Sequence, residues 1–377
     1  MADKKDNKKG MEKSQNENYK IEQTIQRKDE HINICLEKPV QAKSVKTLFN
    51  DVHLLNNSLP EIDFEDIDTS VNFLGKKFSA PIMVGAMTGG TPSAKKINEN
   101  IAKAMQELKL GMALGSQRAA LMSADVAASY SIAREAGPDI FLGANIGAAQ
   151  LAELGIENAK KLIKMVNADA LYIHLNAAQE VAQPEGEPHF ANILKNIEQI
   201  SKSLEKPIIA KEVGFGISPE AAKRLENAGV SAIEIAGAGG TSYTAVEYYR
   251  ALEQSDYKKM FAAQALWDWG IPTAASLYMA RKEVSIPIIS SGGIRTPLDI
   301  AKSIAMGADM TAIAWPFLKL AVISADAVKS FMSNLIYGLK SVMFLVGAKN
   351  IEELKHTKYI ISGELKEWVE NERVYQH

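Results

Sequence analysis

The chain reads as an α/β protein of the TIM (β/α)8 barrel type, with an N-terminal extension and C-terminal helices. Two observations predict this. From about residue 80, short apolar runs rich in β-favouring residues alternate with amphipathic helical patterns. Nearly every run also ends in glycine or small polar residues, as expected where the loops after the strands build a site. The runs lack strict polar alternation, which fits parallel strands covered on both faces. Strand–helix units to the number of eight, in a stretch of about 240 residues, match such a barrel in size. An open doubly wound sheet is the alternative, and the gathering of polar groups at the strand ends favours the barrel.

The elements follow in order. Residues 1–20, MADKKDNKKGMEKSQNENYK, combine low hydrophobicity with dense charge and predict a disordered tail. They lack an apolar h-region, so no signal peptide is expected. Residues 21–79 form an N-terminal segment with a polar cluster of its own, QRKDEHI (26–32). The barrel is expected over 80–347. Its strands are PIMVGAMT (81–88), LGMALGSQ (110–117), DIFLGANIG (139–147), ALYIHLN (170–176), PIIAKEVG (207–214), SAIEIAGAG (231–239), PIISSGG (287–293) and MTAIAWP (310–316). Between them, AKKINENIAKAMQELK (94–109) puts Ile97, Ile101, Met105 and Leu108 on one helix face. SPEAAKRLENAG (218–229) has a Ser N-cap, Pro at the first helical position and a closing Gly, and TPLDIAKSIAMGA (296–308) repeats that grammar. LIYGLKSVMFLVGAKNIEELKH (335–356) reads as an apolar helix and then a short polar one. Residues 348–377 form a peripheral C-terminal segment ending in WVENERVYQH.

Composition narrows the function. The 377 residues are 46% hydrophobic and 23% charged, with a net charge of −2. That balance gives no electrostatic case for nucleic acid or an anionic membrane as the main partner. The one cysteine, Cys35, excludes an intramolecular disulfide and a cysteine-based zinc site, and suits a reducing cytoplasm. No apolar run approaches the roughly 20 residues that span a bilayer.

The strand ends carry the functional argument. GAGGT (237–241) and GGIRT (292–296) place glycines where backbone N–H groups approach an anion, with Thr241 and Arg295 adding donors. Either alone reads equally well as a tight turn; on late, neighbouring strands they read together as a phosphate cradle. Lys211 lies inside PIIAKEV, so it either reaches solvent at the strand end or serves as a cation beside an electron-rich ring or phosphate. His174 and Asn176 are two apart on a strand and face the barrel mouth together. Glu180 follows, as a ligand for a hard cation or as a charge favouring a helix N-terminus. Arg27, Lys28 and His31 make either an anion clamp or an exposed basic patch, and the residues alone favour the patch.

These residues fall in motifs that resemble type 2 isopentenyl-diphosphate δ-isomerase, the FMN-dependent form. The matches are RKDEH (27–31), FNDVHLLNNSLPEI (49–62), AMTGGT (86–91), GSQR (115–118) and ANIGA (144–148). They continue through IHLNAAQE…PEG (173–186), KEVGFG (211–216), GAGGTSY (237–243), DWGIPT (268–273) and GGIRT (292–296). The resemblance implies a cytoplasmic barrel enzyme, a tetramer or larger, that interconverts isopentenyl and dimethylallyl diphosphate using reduced FMN and Mg²⁺, with NADPH as reductant. It implies flavin contacts at Ala86, Met87, Thr88, Ser116, Asn145 and Lys211. Thr241, Gly293, Ile294, Arg295, Ala314 and Trp315 would lie at the flavin phosphate. Arg27, Lys28, His31, Ser116, Gln117, Arg118, His174, Asn176 and Gln179 would surround the diphosphate, and Glu180 would hold Mg²⁺. No side chain is assigned as the acid or base, because the flavin itself takes that part.

Two positions depart from the pattern: Ala236 stands where a serine is usual, and Trp315 where a smaller residue is. The alternatives are an FMN-dependent 2-hydroxy-acid oxidase or dehydrogenase on the same barrel, and a flavin-binding sensor without catalysis. The oxidase requires a histidine base in the sixth-strand region, where GAGGTSY has none.

Overall fold

The computed structural model describes residues 25–121, 123–186 and 188–371; the expected tail at 1–20 lies outside them. Among the described residues, eight parallel strands close a barrel. They are β1 (Ile82–Val84), β2 (Gly111–Ala113), β3 (Phe141–Gly147), β4 (Ala170–Leu175), β5 (Ile208–Glu212), β6 (Ala232–Glu234), β7 (Ile288–Ser291) and β8 (Met310–Ile313). Neighbours follow chain order, and β8 pairs with β1 through Thr311 and Ile82, which closes the ring and rules out the open sheet. Several strands are shorter than their apolar runs. The run at 81–88 yields ladder only over Ile82–Val84, because the chain leaves the sheet at Gly85 to form a loop.

Helix boundaries obey the caps read from sequence. Ser218 Oγ accepts from Ala221 N at 3.2 Å and opens the helix Pro219–Asn227. Thr296 and Asp299 form a reciprocal capping box ahead of Pro297–Ala305. Along Pro92–Leu108, Ile97, Ile101 and Met105 are buried against the barrel.

The N-terminal end of the barrel is plugged. A hairpin, Val71–Phe73 with Lys76–Phe78, turns at Leu74 and Gly75, both at positive φ, the conformation a two-residue hairpin loop requires. Its Phe73 and Phe78 pack on Phe141 with ring centroids 6.0 and 5.6 Å away. Asp169, just before β4, takes Leu142 N at 2.8 Å and Arg134 Nη2 at 2.9 Å, stitching strand to helix at that end.

The segments flanking the barrel meet each other. Val52–Leu54 pairs antiparallel with Tyr359–Ile361, and Lys302 Nζ donates to Phe49 O at 2.8 Å. The opposite, C-terminal end of the barrel stays open to a chamber, over which lies a helix spanning 25–37.

Candidate active site

The chamber is built from the strand ends. β1 contributes Ala86, Met87 and Thr88; the β2 loop contributes Ser116 and Arg118. Asn145 of β3, His174 of β4 and Lys211 of β5 also line it. Asn176, Gln179 and Glu180 follow β4, Thr241 follows β6, Gly293 to Arg295 follow β7, and Ala314 and Trp315 follow β8. The helix over residues 25–37 closes the chamber with Arg27, Lys28 and His31. The structure thus brings the sequence-predicted residues together, with one exception. Gln117 is fully buried and faces away; its Oε1 accepts from Asn145 N at 2.9 Å and its Nε2 points to Leu162 O. It ties the loop after β2 to β3 and is not among the residues lining the chamber.

The two glycine loops form a cradle that no Cβ could share. A Cβ at Gly240 would lie 2.4 Å from Gly293 N, and one at Gly292 would lie 2.3 Å from Gly237 O. Gly239, Gly292 and Gly293 also hold positive φ. The loops therefore lie backbone against backbone, beside the hydroxyl of Thr241 and the guanidinium of Arg295. Gln41, which sequence reasoning missed, links those two side chains: its Oε1 accepts from Arg295 Nη2 at 2.8 Å and its Nε2 donates to Thr241 Oγ1 at 3.1 Å. Trp315 Nε1 donates to Cys35 O at 2.8 Å, and its ring lies between Arg295 and Lys319, 5.4 and 4.4 Å from the centroid. The departure at Trp315 thus ties the covering helix to the end of β8.

Lys28 corrects the exposed-patch expectation. Its ammonium is drawn inward, donating to Ser116 O at 2.6 Å and meeting the hydroxyl of Tyr130. Tyr130 itself donates to Ser116 O at 2.6 Å. The glycines of AMTGGT make this possible: a Cβ at Gly89 would lie 2.0 Å from the Tyr130 ring, and one at Gly90 would lie 2.9 Å from the Lys28 stem. Burial, and secondarily the charge of Arg27, lower the Lys28 ammonium to about 7. A bound anion would favour the charged form. Affinity for an anion held there is therefore expected to fall as pH rises above about 7, by up to about tenfold per pH unit while one proton must be taken up. KM measured against pH checks this, and Lys28→Ala should raise KM and flatten the slope in that range.

His174 is held neutral. Burial, then the charges of Lys211, Arg27 and Lys28, push it down to about 3. Asn145 Nδ2 donates to Leu114 O at 2.9 Å, which leaves Asn145 Oδ1 to accept from His174 Nδ1 at 2.9 Å. His174 Nε2 therefore carries a lone pair. Glu180, buried in the first turn of the helix Ala177–Ala182, accepts from Asn176 Nδ2 at 3.0 Å. Asn176 Oδ1 is buried without a hydrogen-bond partner.

Beneath the covering helix lies a charged network that the sequence did not disclose. Glu247 is fully buried and meets His31 Nε2 at 3.0 Å, Arg250 Nη1 at 2.8 Å and Gln179 Nε2 at 2.9 Å. Burial acts to raise the Glu247 carboxyl; His31, Arg250 and Gln179 overcome it and hold it at about 2. Arg250 also reaches Glu30 at 2.8 Å and Glu185 at 3.0 Å. His31 is turned to this carboxylate and docks the helix.

Such a cavity, with a glycine backbone cradle and a buried cation on a strand, has the donors that a phosphate-bearing cofactor on a barrel needs. The family profile of FMN-dependent dehydrogenases matches residues 173–361. Among solved structures, a mandelate oxidase aligns with a TM-score of 0.62 at 14% identity, covering 89% of this chain and 96% of that one. A flavocytochrome b2 variant aligns at 0.61 and 17%, covering 92% and 88%. At these identities the likeness concerns the fold. Curated relatives are far nearer: isopentenyl-diphosphate delta-isomerases of Archaeoglobus fulgidus, 45% identical over 92% of this chain and 99% of that protein, and of Thermococcus onnurineus, 45% identical over 93% and 95%. The chain belongs to the isopentenyl-diphosphate delta-isomerase family, in its FMN-dependent barrel form.

Proposed function

We propose that this protein interconverts isopentenyl and dimethylallyl diphosphate by adding a proton at one carbon and removing one from another, with FMN in its reduced form. One observation carries the reading: a single chamber is lined both by a glycine cradle with Arg295 and by the cations Lys28, Arg27 and Arg118. The donor set fits both groups. Thr241, Arg295 and the loop amides would hold the flavin phosphate, while Ala86, Met87, Thr88, Ser116, Asn145 and Lys211 would line its ring. When bound and reduced, FMN supplies the acid–base atom, N5, so the chain need not place a strong acid at the alkene.

The side chains supply binding, orientation and exclusion of water. Arg27, Lys28 and Arg118 would neutralise the diphosphate and give remote binding energy to position the alkene. Glu180 would hold Mg²⁺. Among the described residues no group of three or more His, Cys, Asp or Glu could hold a metal ion alone. One carboxylate completed by diphosphate oxygens and water is the set Mg²⁺ commonly takes. The orphaned Asn176 Oδ1 would accept from one of those waters. His174, neutral, would accept a hydrogen bond at Nε2 or take a proton as the anion arrives. NADPH is the proposed reductant of the flavin. A homo-oligomer is the proposed assembly, supported by exposed Tyr257 and Phe261 one helical turn apart. Among the described residues no helix is long and apolar enough to cross a membrane.

The test is spectroscopic and then chemical. Purified protein should carry a yellow flavin band that NADPH bleaches, and the reduced, anaerobic protein with Mg²⁺ should equilibrate the two diphosphates by NMR. Bound, reduced flavin with no conversion would contradict the reading. Oxidation of lactate or glycolate coupled to flavin bleaching would favour the 2-hydroxy-acid oxidase.

A further inference from the structure

We infer that Glu234 is a positioning residue that balances the charge of Lys211 and so sets the protonation of the reduced flavin at N1. The inference rests on the proposed placement of FMN with its N1–O2 edge beside Lys211.

Glu234 is the last residue of β6 and stands in register with Lys211 of β5, which in turn stands in register with His174 of β4. These three side chains form a row across the mouth of the barrel, and all three line the chamber. The Glu234 side chain is 2% exposed, and its Oε1 is 3.6 Å from Lys211 Nζ. That separation is an electrostatic contact rather than a hydrogen bond. The ammonium donates to the main-chain carbonyl of Glu212 instead. Glu234 Oε1 accepts from Ser291 Oγ at 2.8 Å, while Oε2 is buried with no hydrogen-bond partner.

A buried carboxylate with an orphaned oxygen is an expensive way to fill space, and an apolar residue of the same volume would serve packing as well. Its consequence is electrical. An unbalanced Lys211 would pull the proton off N1 of a reduced flavin and hold it as the anion; a carboxylate at 3.6 Å opposes that pull. Two of the neighbours add no charge to this balance. His174 is neutral, as described. Tyr172, below the row, is kept neutral by burial and by Glu234 itself. Burial raises the Glu212 carboxyl to about 7, against the pull of the Phe215, Gly214 and Val213 amides and of Lys211. Arg27 and Lys28 face the row from the covering helix across the chamber, at its substrate end.

The experiment compares wild type with Glu234→Gln, whose amide oxygen can still accept from Ser291. Dissociation constants for oxidised and for reduced FMN are measured anaerobically, and the bound reduced flavin is titrated with pH by absorbance. The variant is expected to shift the ratio of the two constants at least about tenfold in favour of reduced flavin, which is a rise of about 30 mV in the two-electron potential. The N1 pKa of the bound flavin should fall. Glu234→Asp should restore the ratio toward wild type, and Lys211→Met should move it the opposite way. If Glu234→Gln does not fold, Glu234→Met, an apolar side chain of similar volume, carries the test by the same shift, and an unchanged ratio in it would overturn the role of Glu234. An unchanged ratio and N1 pKa in folded Glu234→Gln, where Lys211→Met does shift them, would overturn the role of Glu234 alone. If wild type binds FMN and Lys211→Met moves neither quantity, the placement of the flavin against Lys211 is what fails.

Discussion

Glu180→Gln is expected to abolish isomerisation at Mg²⁺ concentrations that saturate the wild type, with the flavin spectrum intact. The amide keeps the hydrogen bond from Asn176 Nδ2, made at 3.0 Å, but loses the charge that a hard cation needs. Among the described residues no group of three or more His, Cys, Asp or Glu could hold the ion in its place. The shift in Mg²⁺ requirement should exceed the roughly 10- to 100-fold that loss of an outer-shell partner brings. Activity titrated against Mg²⁺, with FMN absorbance followed in parallel, separates the two sites. Unchanged Mg²⁺ dependence would remove Glu180 from its role.

The second large effect falls on stability. Arg250→Met should destabilise the protein by about 3–5 kcal/mol, because it leaves Glu247 buried beside His31 and Gln179 with its guanidinium partner gone. The same change removes the Arg250 contacts of Glu30 and Glu185, leaving Glu185 to Arg27 at 3.6 Å, and so loosens the helix over the chamber. Removing the carboxylate as well should recover part of the loss, so Arg250→Met with Glu247→Gln is expected to be more stable than the sum of the single variants predicts. Denaturant midpoints of the four proteins measure this. In the wild type Glu247 lies below its ordinary range, so its contribution is present above about pH 4.5 and lost as pH falls toward about 2. Additive midpoints would mean that Arg250 and Glu247 do not act as a pair.

The barrel was legible because its signals are local. Apolar runs without alternation, helix caps at Ser218 and Thr296, and glycines at strand ends each lie within one turn or one strand. The residues carried by strands could therefore be placed on the mouth from their order alone, as with His174, Asn176 and Lys211. What stayed hidden depends on contacts between distant segments. Gln41 meets Arg295 across 254 residues, and Arg250 meets Glu30 across 220. No periodicity relates such positions. RKDEH favoured an exposed basic patch because nothing local shows that Tyr130 and a pair of glycines provide a buried slot for Lys28. Glu234 is different: a lone acid in the apolar run SAIEIAG is the same signal that singled out Lys211 in PIIAKEV, and could have been read the same way.

The central claim is that the chamber moves protons and leaves the flavin reduced. The direct measurement is anaerobic turnover of isopentenyl diphosphate in D₂O with the flavin spectrum recorded throughout. The expected product is dimethylallyl diphosphate carrying solvent deuterium, with a flavin that is still reduced at the end. Product free of deuterium, or flavin bound and reduced with no product at all, would contradict it.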